Sequence, residues 1–153
     1  MKIEYLCDHI HFADTIAKWI FDEFIDGIKI DRTYEDTLAS FKNCHKTEFP
    51  IRFIMMDGDK CAGTISIVEN DLRCRKNYYP WLAGLYVDKS CRNQKIGEQL
   101  LNNAKNIVAG MGHKELYLRT EHASGYYRRL GWEFVESCDD DYNLVPDVFV
   151  WKF

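Results

Sequence analysis

The residues best suited to chemistry lie in the stretch Trp81 to Leu101, WLAGLYVDKSCRNQKIGEQLL. An almost unbroken apolar run turns through the polar segment Asp88 to Asn93 and opens into an amphipathic helix at about Gln94. A buried strand, a basic turn and a helix start together make a seat for phosphate. The first helical N–H groups have no intrahelical acceptor, and the helix dipole favours negative charge at that end. Arg92 and Lys95 add positive charge there. Elsewhere, Cys44 beside His45 sets a nucleophile next to a base, but neighbours in sequence seldom meet the geometry that nucleophilic catalysis needs. The six cysteines (Cys7, Cys44, Cys61, Cys74, Cys91 and Cys138) form no CxxC pair, and no Cys/His spacing matches a zinc site. Neither a metal nor a disulfide framework is expected. Free thiols in a reducing cytoplasm fit this pattern.

The scaffold for that stretch is bounded by size and composition. A chain of 153 residues, 46% hydrophobic and 14% aromatic, has enough apolar surface for one domain with a real core, residues 1–153. The formal net charge of -4 argues against nucleic acid or an anionic membrane as a general partner. No apolar h-region follows Met1, and no stretch approaches the roughly 20 apolar residues of a membrane span.

Hydrophobic periodicity gives the order of elements. Lys2 to Leu6 reads as a strand, and Ile16, Ile20, Phe24 and Ile28 recur at four-residue steps as the buried stripe of a helix, flanked by Trp19 and Glu23. Thr33-Tyr-Glu-Asp36 resembles a capping box opening a second helix with Leu38 and Phe41. Ile51 to Met56 and Cys61 to Glu69 flank Asp57-Gly-Asp-Lys60, a hairpin signal. Trp81 to Val87 alternates too little for an edge strand and is expected at the centre of the sheet. A helix with Ile96, Leu100, Leu101, Ala104, Ile107 and Val108 on one face then ends near Gly110 and Gly112. Glu115 to Thr120 is a strand, and Ser124 to Leu130 is a short helix stopped by Gly131. Trp132 to Glu136 and Asp147 to Phe153 close the chain as antiparallel strands.

The run Leu85-Tyr-Val87, Asp88, Arg92-Asn-Gln-Lys-Ile-Gly97 and Leu100-Leu101 resembles the acyl-CoA-binding motif of the GCN5-related N-acetyltransferases. Tyr127-Arg-Arg-Leu-Gly-Trp132, about 30 residues on, resembles that family's second signature, and the order of elements agrees over nearly the whole chain. Asp71-Leu72 and Pro80-Trp-Leu-Ala83 through Tyr86-Val87 are similar to a block found in a group of small members. The resemblance implies an α/β (α+β) fold, with a mixed central sheet of about six to seven strands flanked by about four helices. It also implies acetyl-CoA as co-substrate and an amine acceptor, in a monomer or homodimer.

By the same resemblance, Leu85, Tyr86 and Val87 hold the pantetheine on a splayed strand edge. The amides of Asn93, Gln94, Lys95, Ile96, Gly97 and Glu98, with Arg92, hold the pyrophosphate. Lys95 stands where the motif has its first glycine, and an ordinary helical φ is expected for it. The N–H of Leu85 is implied to polarise the thioester, and Tyr127, rather than the adjacent Tyr126, to protonate the leaving thiolate. A base for the acceptor is sought in Glu121 and His122, at a strand's C-terminal end where ligands gather, and in Glu23. Acceptor contacts are expected from Trp19, Glu23, the 26–32 loop and Trp81. Two other readings keep the cofactor: a CoA-binding sensor or partner module without catalysis, and an acyltransferase using another acyl-CoA.

Overall fold

The computed structural model describes every residue except Lys29 and Asp141. Lys29 falls in the 26–32 loop, so that part of the loop lies outside the described residues. Among the described residues the chain builds one seven-stranded sheet, its strands numbered in chain order. The strands are β1 (Lys2–Tyr5), β2 (Ile51–Asp57), β3 (Lys60–Val68), β4 (Trp81–Val87), β5 (Glu115–Thr120), β6 (Glu133–Ser137) and β7 (Asp147–Lys152). Their spatial order is β1-β2-β3-β4-β5-β7-β6, antiparallel at every pairing except β4 with β5. The helices are α1 (Ala13–Ile20), α2 (Tyr34–Lys42), α3 (Ile96–Gly110) and α4 (Ser124–Arg129).

Each face of the sheet has its own apolar layer. Helix α3 lays Ile96, Leu100, Leu101, Ala104 and Val108 against Phe53, Met55, Ile65, Leu116, Leu118 and Phe149. On the other face α1 and α2 bring Ile16, Ala17, Ile20 and Phe41 to Ile54, Met56 and Tyr86. Alternation puts Phe149 in the α3 layer and Val148 and Val150 in a third cluster with Trp81 and Tyr117, so β7 is apolar on both sides.

Local signals account for several boundaries. Thr33 Oγ1 accepts from the Asp36 amide at 3.1 Å while Asp36 accepts from the Thr33 amide at 3.0 Å, a complete capping box. The β2–β3 hairpin turns through Gly58 and Asp59, with Gly58 at φ +61°.

The first helix departs from its four-residue stripe. After Ile20 the backbone widens into a π turn over Phe21–Ile25, so Ile25 becomes 7% exposed whereas Phe24 is 44% exposed. The extra residue per turn rotates the buried stripe by one position, and Phe24 is carried to the rim.

Candidate active site

The site is organised by a break in the middle of the sheet. Strands β4 and β5 share a single register pair, Trp81 with Tyr117, and diverge beyond it. In β4 the pairing with β3 steps from Ser66–Ala83 to Thr64–Tyr86, so Gly84 and Leu85 stand opposite Ile65 alone. This is a β-bulge, and Gly84 enters it at φ +62°. The extra residue reverses side-chain parity. Leu85 and Val87 join Leu82 on the α3 face, while Tyr86 turns to the α1/α2 layer. Leu85 is therefore presented at the divergence, with the β5-facing edge of β4 unpaired beside it.

Downstream of the bulge, Asn93 and Lys95 adopt left-handed angles, φ +65° and +59°. Lys95 is the N-cap of α3, with ψ +23° and no side-chain cap on the helix. The expected helical φ at Lys95 is corrected: the residue makes the last turn of the loop, and α3 starts at Ile96 rather than near Gln94. An L-residue in this region costs roughly 1–2 kcal/mol, which explains why glycine suits the motif there. The uncapped amides at the start of this helix fit an anionic group of the cofactor.

Around this turn Arg92, Asn93, Gln94 and Lys95 are exposed, and Ile96 gives its side chain to the core. Arg92 Nε donates to Val87 O at 3.1 Å, and its guanidinium lies 5.5 Å from the Tyr86 ring centroid, so strand end and basic turn are tied together. Gln94 folds back onto Cys91 O at 3.2 Å. Glu98 is half-buried in the first turn of α3. A Cβ on Gly97 would lie 3.1 Å from the Tyr126 hydroxyl, so glycine leaves room for that phenol beside the helix start. The two tyrosines of α4 thus part company: Tyr126 reaches the phosphate turn, and Tyr127 lines the cavity beside Leu85.

That cavity, about 780 Å³, opens where β4 and β5 separate. Its walls include Leu82 to Leu85, Leu118, Tyr127, Glu121 and His122, with Glu23 and Phe24 from the π turn. Tyr127 packs edge-on to Trp132, with ring centroids 6.2 Å apart, and burial pushes its phenol well above the ordinary tyrosine range. It therefore stays protonated across the physiological range.

Glu121 is held by Arg119, whose Nη2 also donates to Asp140 at 2.8 Å. Burial works to raise Asp140, but the Arg119 guanidinium and the Leu144 and Tyr142 amides outweigh it and keep the carboxylate low. Asp71 lines the same wall, and burial pushes its carboxyl up to about 7 despite the pull of Arg119.

Two expected acceptor contacts differ. Trp81 is fully buried, its indole donating to Tyr78 O at 2.6 Å and its ring lying 5.8 Å from Tyr117, because it occupies the one rung where β4 and β5 still pair. It is a core residue and not a wall of the cavity. Trp19 is half-buried against Tyr86, with ring centroids 5.3 Å apart, and does not line the cavity. The Cys44–His45 pair is not arranged for nucleophilic attack. Burial and the neighbouring Cys7 push the Cys44 thiol up to about 12, and the His45 ring is engaged by Asn43 and Glu48. Among the described residues no cluster of three or more His, Cys, Asp or Glu could hold a metal ion, and no helix is long and apolar enough to cross a membrane.

Asp71, Arg119 and Asp140 had no assigned role in the sequence reading. Arg119 is recognisable only as the polar member of an alternating strand. Asp140 sits in a long loop whose path the sequence does not predict.

The fold has known counterparts. An aminoglycoside 6'-N-acetyltransferase complexed with coenzyme A superposes with a TM-score of 0.77 at 16% identity, over 99% of this chain and 97% of that one. The aminoglycoside 6'-N-acetyltransferase from Enterococcus faecium gives 0.75 at 17% identity, covering 99% and 97%. A putative acetyltransferase from Salmonella typhimurium with its cofactor acetyl-CoA gives 0.70 at 14% identity, covering 99% and 93%. No curated protein matches the sequence significantly. The family model described as Acetyltransferase (GNAT) family matches residues 13–132. Bulge, splayed strands, uncapped helix and family match agree: the chain belongs to the acetyltransferase (GNAT) family.

Proposed function

We propose that this member transfers the acetyl group of acetyl-CoA to a primary amine of a small molecule or peptide, by direct attack within a ternary complex in the cytoplasm. The observation that carries this reading is the continuity of three features: the unpaired β4 edge, the uncapped start of α3, and a cavity opening at Leu85 and Tyr127. Leu85 to Val87 receive the pantetheine. The amides of residues 93–98, with Arg92 and Lys95, receive the pyrophosphate. The Leu85 N–H meets the developing oxyanion, a type of contact whose loss costs roughly 2.7–4 kcal/mol. Tyr127 returns a proton to the departing thiolate.

On the acceptor side, Glu23, Glu121 and His122 border the cavity, and the carboxylate of Glu23 supports a cationic amine. The Asp71-Leu72 and Pro80-Trp-Leu-Ala83 through Tyr86-Val87 block supports assigning the chain to a subgroup of small members. The structural neighbours named as aminoglycoside acetyltransferases put aminoglycosides on the panel of amines to test, beside polyamines, amino acids and peptides. The test is calorimetric titration with acetyl-CoA, followed by thiol release across that panel. Absence of binding at millimolar acetyl-CoA refutes the proposal.

A further inference from the structure

We infer that Asp71, rather than Glu121, takes the proton from the acceptor's ammonium group, so that the enzyme acts on strongly basic alkyl amines. The inference rests on the transfer reaction proposed above and names its missing proton acceptor. Its basis is how the carboxylates of the cavity wall are committed. Arg119 donates to both Glu121 and Asp140, which are thereby occupied. It reaches Asp71 only through the backbone, Nη1 to Asp71 O at 3.4 Å. Among the described residues the Asp71 carboxyl has no hydrogen-bond or ion-pair partner, although it lines the cavity. A half-buried carboxylate without a donor is costly unless a ligand supplies one. An ammonium group supplies three.

The surroundings set its basicity. Facing it are Arg119 from β5, Glu121 just beyond that strand, and Arg32 from the segment leading to α2. Arg73 and His122 also border the cavity. Burial is the largest influence, Arg119 and Arg32 oppose it, and Glu121 reinforces it, leaving the group at about 7. An ordinary aspartate near ~3.9 is about 6.5 units too weak for an alkyl amine near ~10.4. At about 7 the gap falls to roughly half of that, and the base is near the operating pH at which proton transfer is most efficient.

The step balances as follows. The ammonium N–H bond breaks and its proton joins Asp71, leaving the nitrogen lone pair. That pair forms the N–C bond to the thioester carbonyl, whose π electrons move to oxygen beside the Leu85 N–H. Collapse re-forms C=O and breaks C–S. The thiolate takes a proton from Tyr127, which regains one from the acylated nitrogen, and Asp71 returns its proton to solvent.

The experiment measures kcat/KM for an alkyl diamine from pH 5.5 to 10 in wild type, Asp71→Asn and Glu121→Gln, with acetyl-CoA affinity by calorimetry as the control for folding. Wild type should rise with unit slope to a plateau near pH 7. Asp71→Asn should lose about 100-fold at pH 7, with the rise displaced to the amine's own pKa and acetyl-CoA affinity kept. Glu121→Gln should keep a single acidic limb, displaced below 7 because Glu121 no longer reinforces the effect of burial on Asp71. Should Asp71→Asn fail the affinity control, Asp71→Ala rescued by formate is the second variant, and absence of rescue counts against the assignment. Wild type that releases thiol, with Asp71→Asn within threefold and its limb unchanged, overturns this assignment alone. Wild type that releases no thiol with any amine overturns the transferase reading and this one with it.

Discussion

Lys95 offers a direct test of the phosphate turn, because its backbone makes a claim that its side chain does not. At φ +59° and ψ +23° it holds a left-handed conformation that costs an L-residue roughly 1–2 kcal/mol. Glycine avoids that cost but loses about 0.4–1 kcal/mol through its freer unfolded chain. The proper comparison is Lys95→Gly against Lys95→Ala, since both remove the ammonium and only one relieves the strain. Glycine should be the more stable by about 0.5–1 kcal/mol. For a chain of this size each kcal/mol moves the melting temperature about 2–4 °C, so Lys95→Gly should melt roughly 1–4 °C above Lys95→Ala in ligand-free calorimetry. Lys95→Ala melting at or above Lys95→Gly would mean that the residue is not left-handed in solution. The reason given for α3 opening at Ile96, with its amides uncapped, would fall with it.

Other outcomes follow from the same geometry. Arg92→Glu with Lys95→Glu should raise KM for acetyl-CoA at least tenfold while leaving kcat at saturation nearly unchanged, because both residues serve ground-state binding; an equal fall in kcat with KM intact contradicts the assignment. Tyr127→Phe should do the reverse, lowering kcat by 10²-fold or more with little change in KM. Asp71→Asn should be pH-dependent in stability as well as in rate. The folded pKa of about 7 lies above the unfolded value near ~3.9, so the wild type loses stability as pH rises between them. The variant should therefore gain up to roughly 4 kcal/mol at pH 8 and almost nothing at pH 3.5, read from urea unfolding at each pH. Cys44, with its thiol pushed up to about 12, should resist iodoacetamide at pH 7.5 until the protein is unfolded, as followed by peptide mass spectrometry.

Much of the scaffold was legible because local chemistry and tertiary packing agree. The α3 stripe, the Thr33–Asp36 box and the Asp57–Lys60 hairpin each carry a mechanism within a few residues, and each stands where its residues put it. Two places that the sequence does not announce are those where an extra backbone residue is absorbed. Phe24 follows the four-residue period, yet the π turn buries Ile25 instead. Gly84 interrupts an apolar run without altering its composition, so the parity change at Leu85 leaves no trace in hydropathy. Trp81 is a large aromatic at the head of a site strand, and only the rung with Tyr117 shows that it is sealed. Asp71 was visible as a residue but not as a base. Its character comes first from burial by walls that distant segments build, reinforced by Glu121 and opposed by Arg119, both nearly 50 residues away in sequence.

The parting of β4 and β5 has a consequence for how the molecule breathes. A central strand in a continuous sheet is ordinarily the best protected against solvent, yet here the β5-facing groups of Ala83 to Val87 have no sheet partner. Amide hydrogen exchange should accordingly show a fast seam through the middle of the molecule, with slow exchange in the β2–β3 half on one side and the β5–β7 half on the other. A ligand that lies along the seam would act as the missing strand. Its arrival would be recorded as slowed exchange across the seam, joining two halves that are otherwise linked there by a single rung.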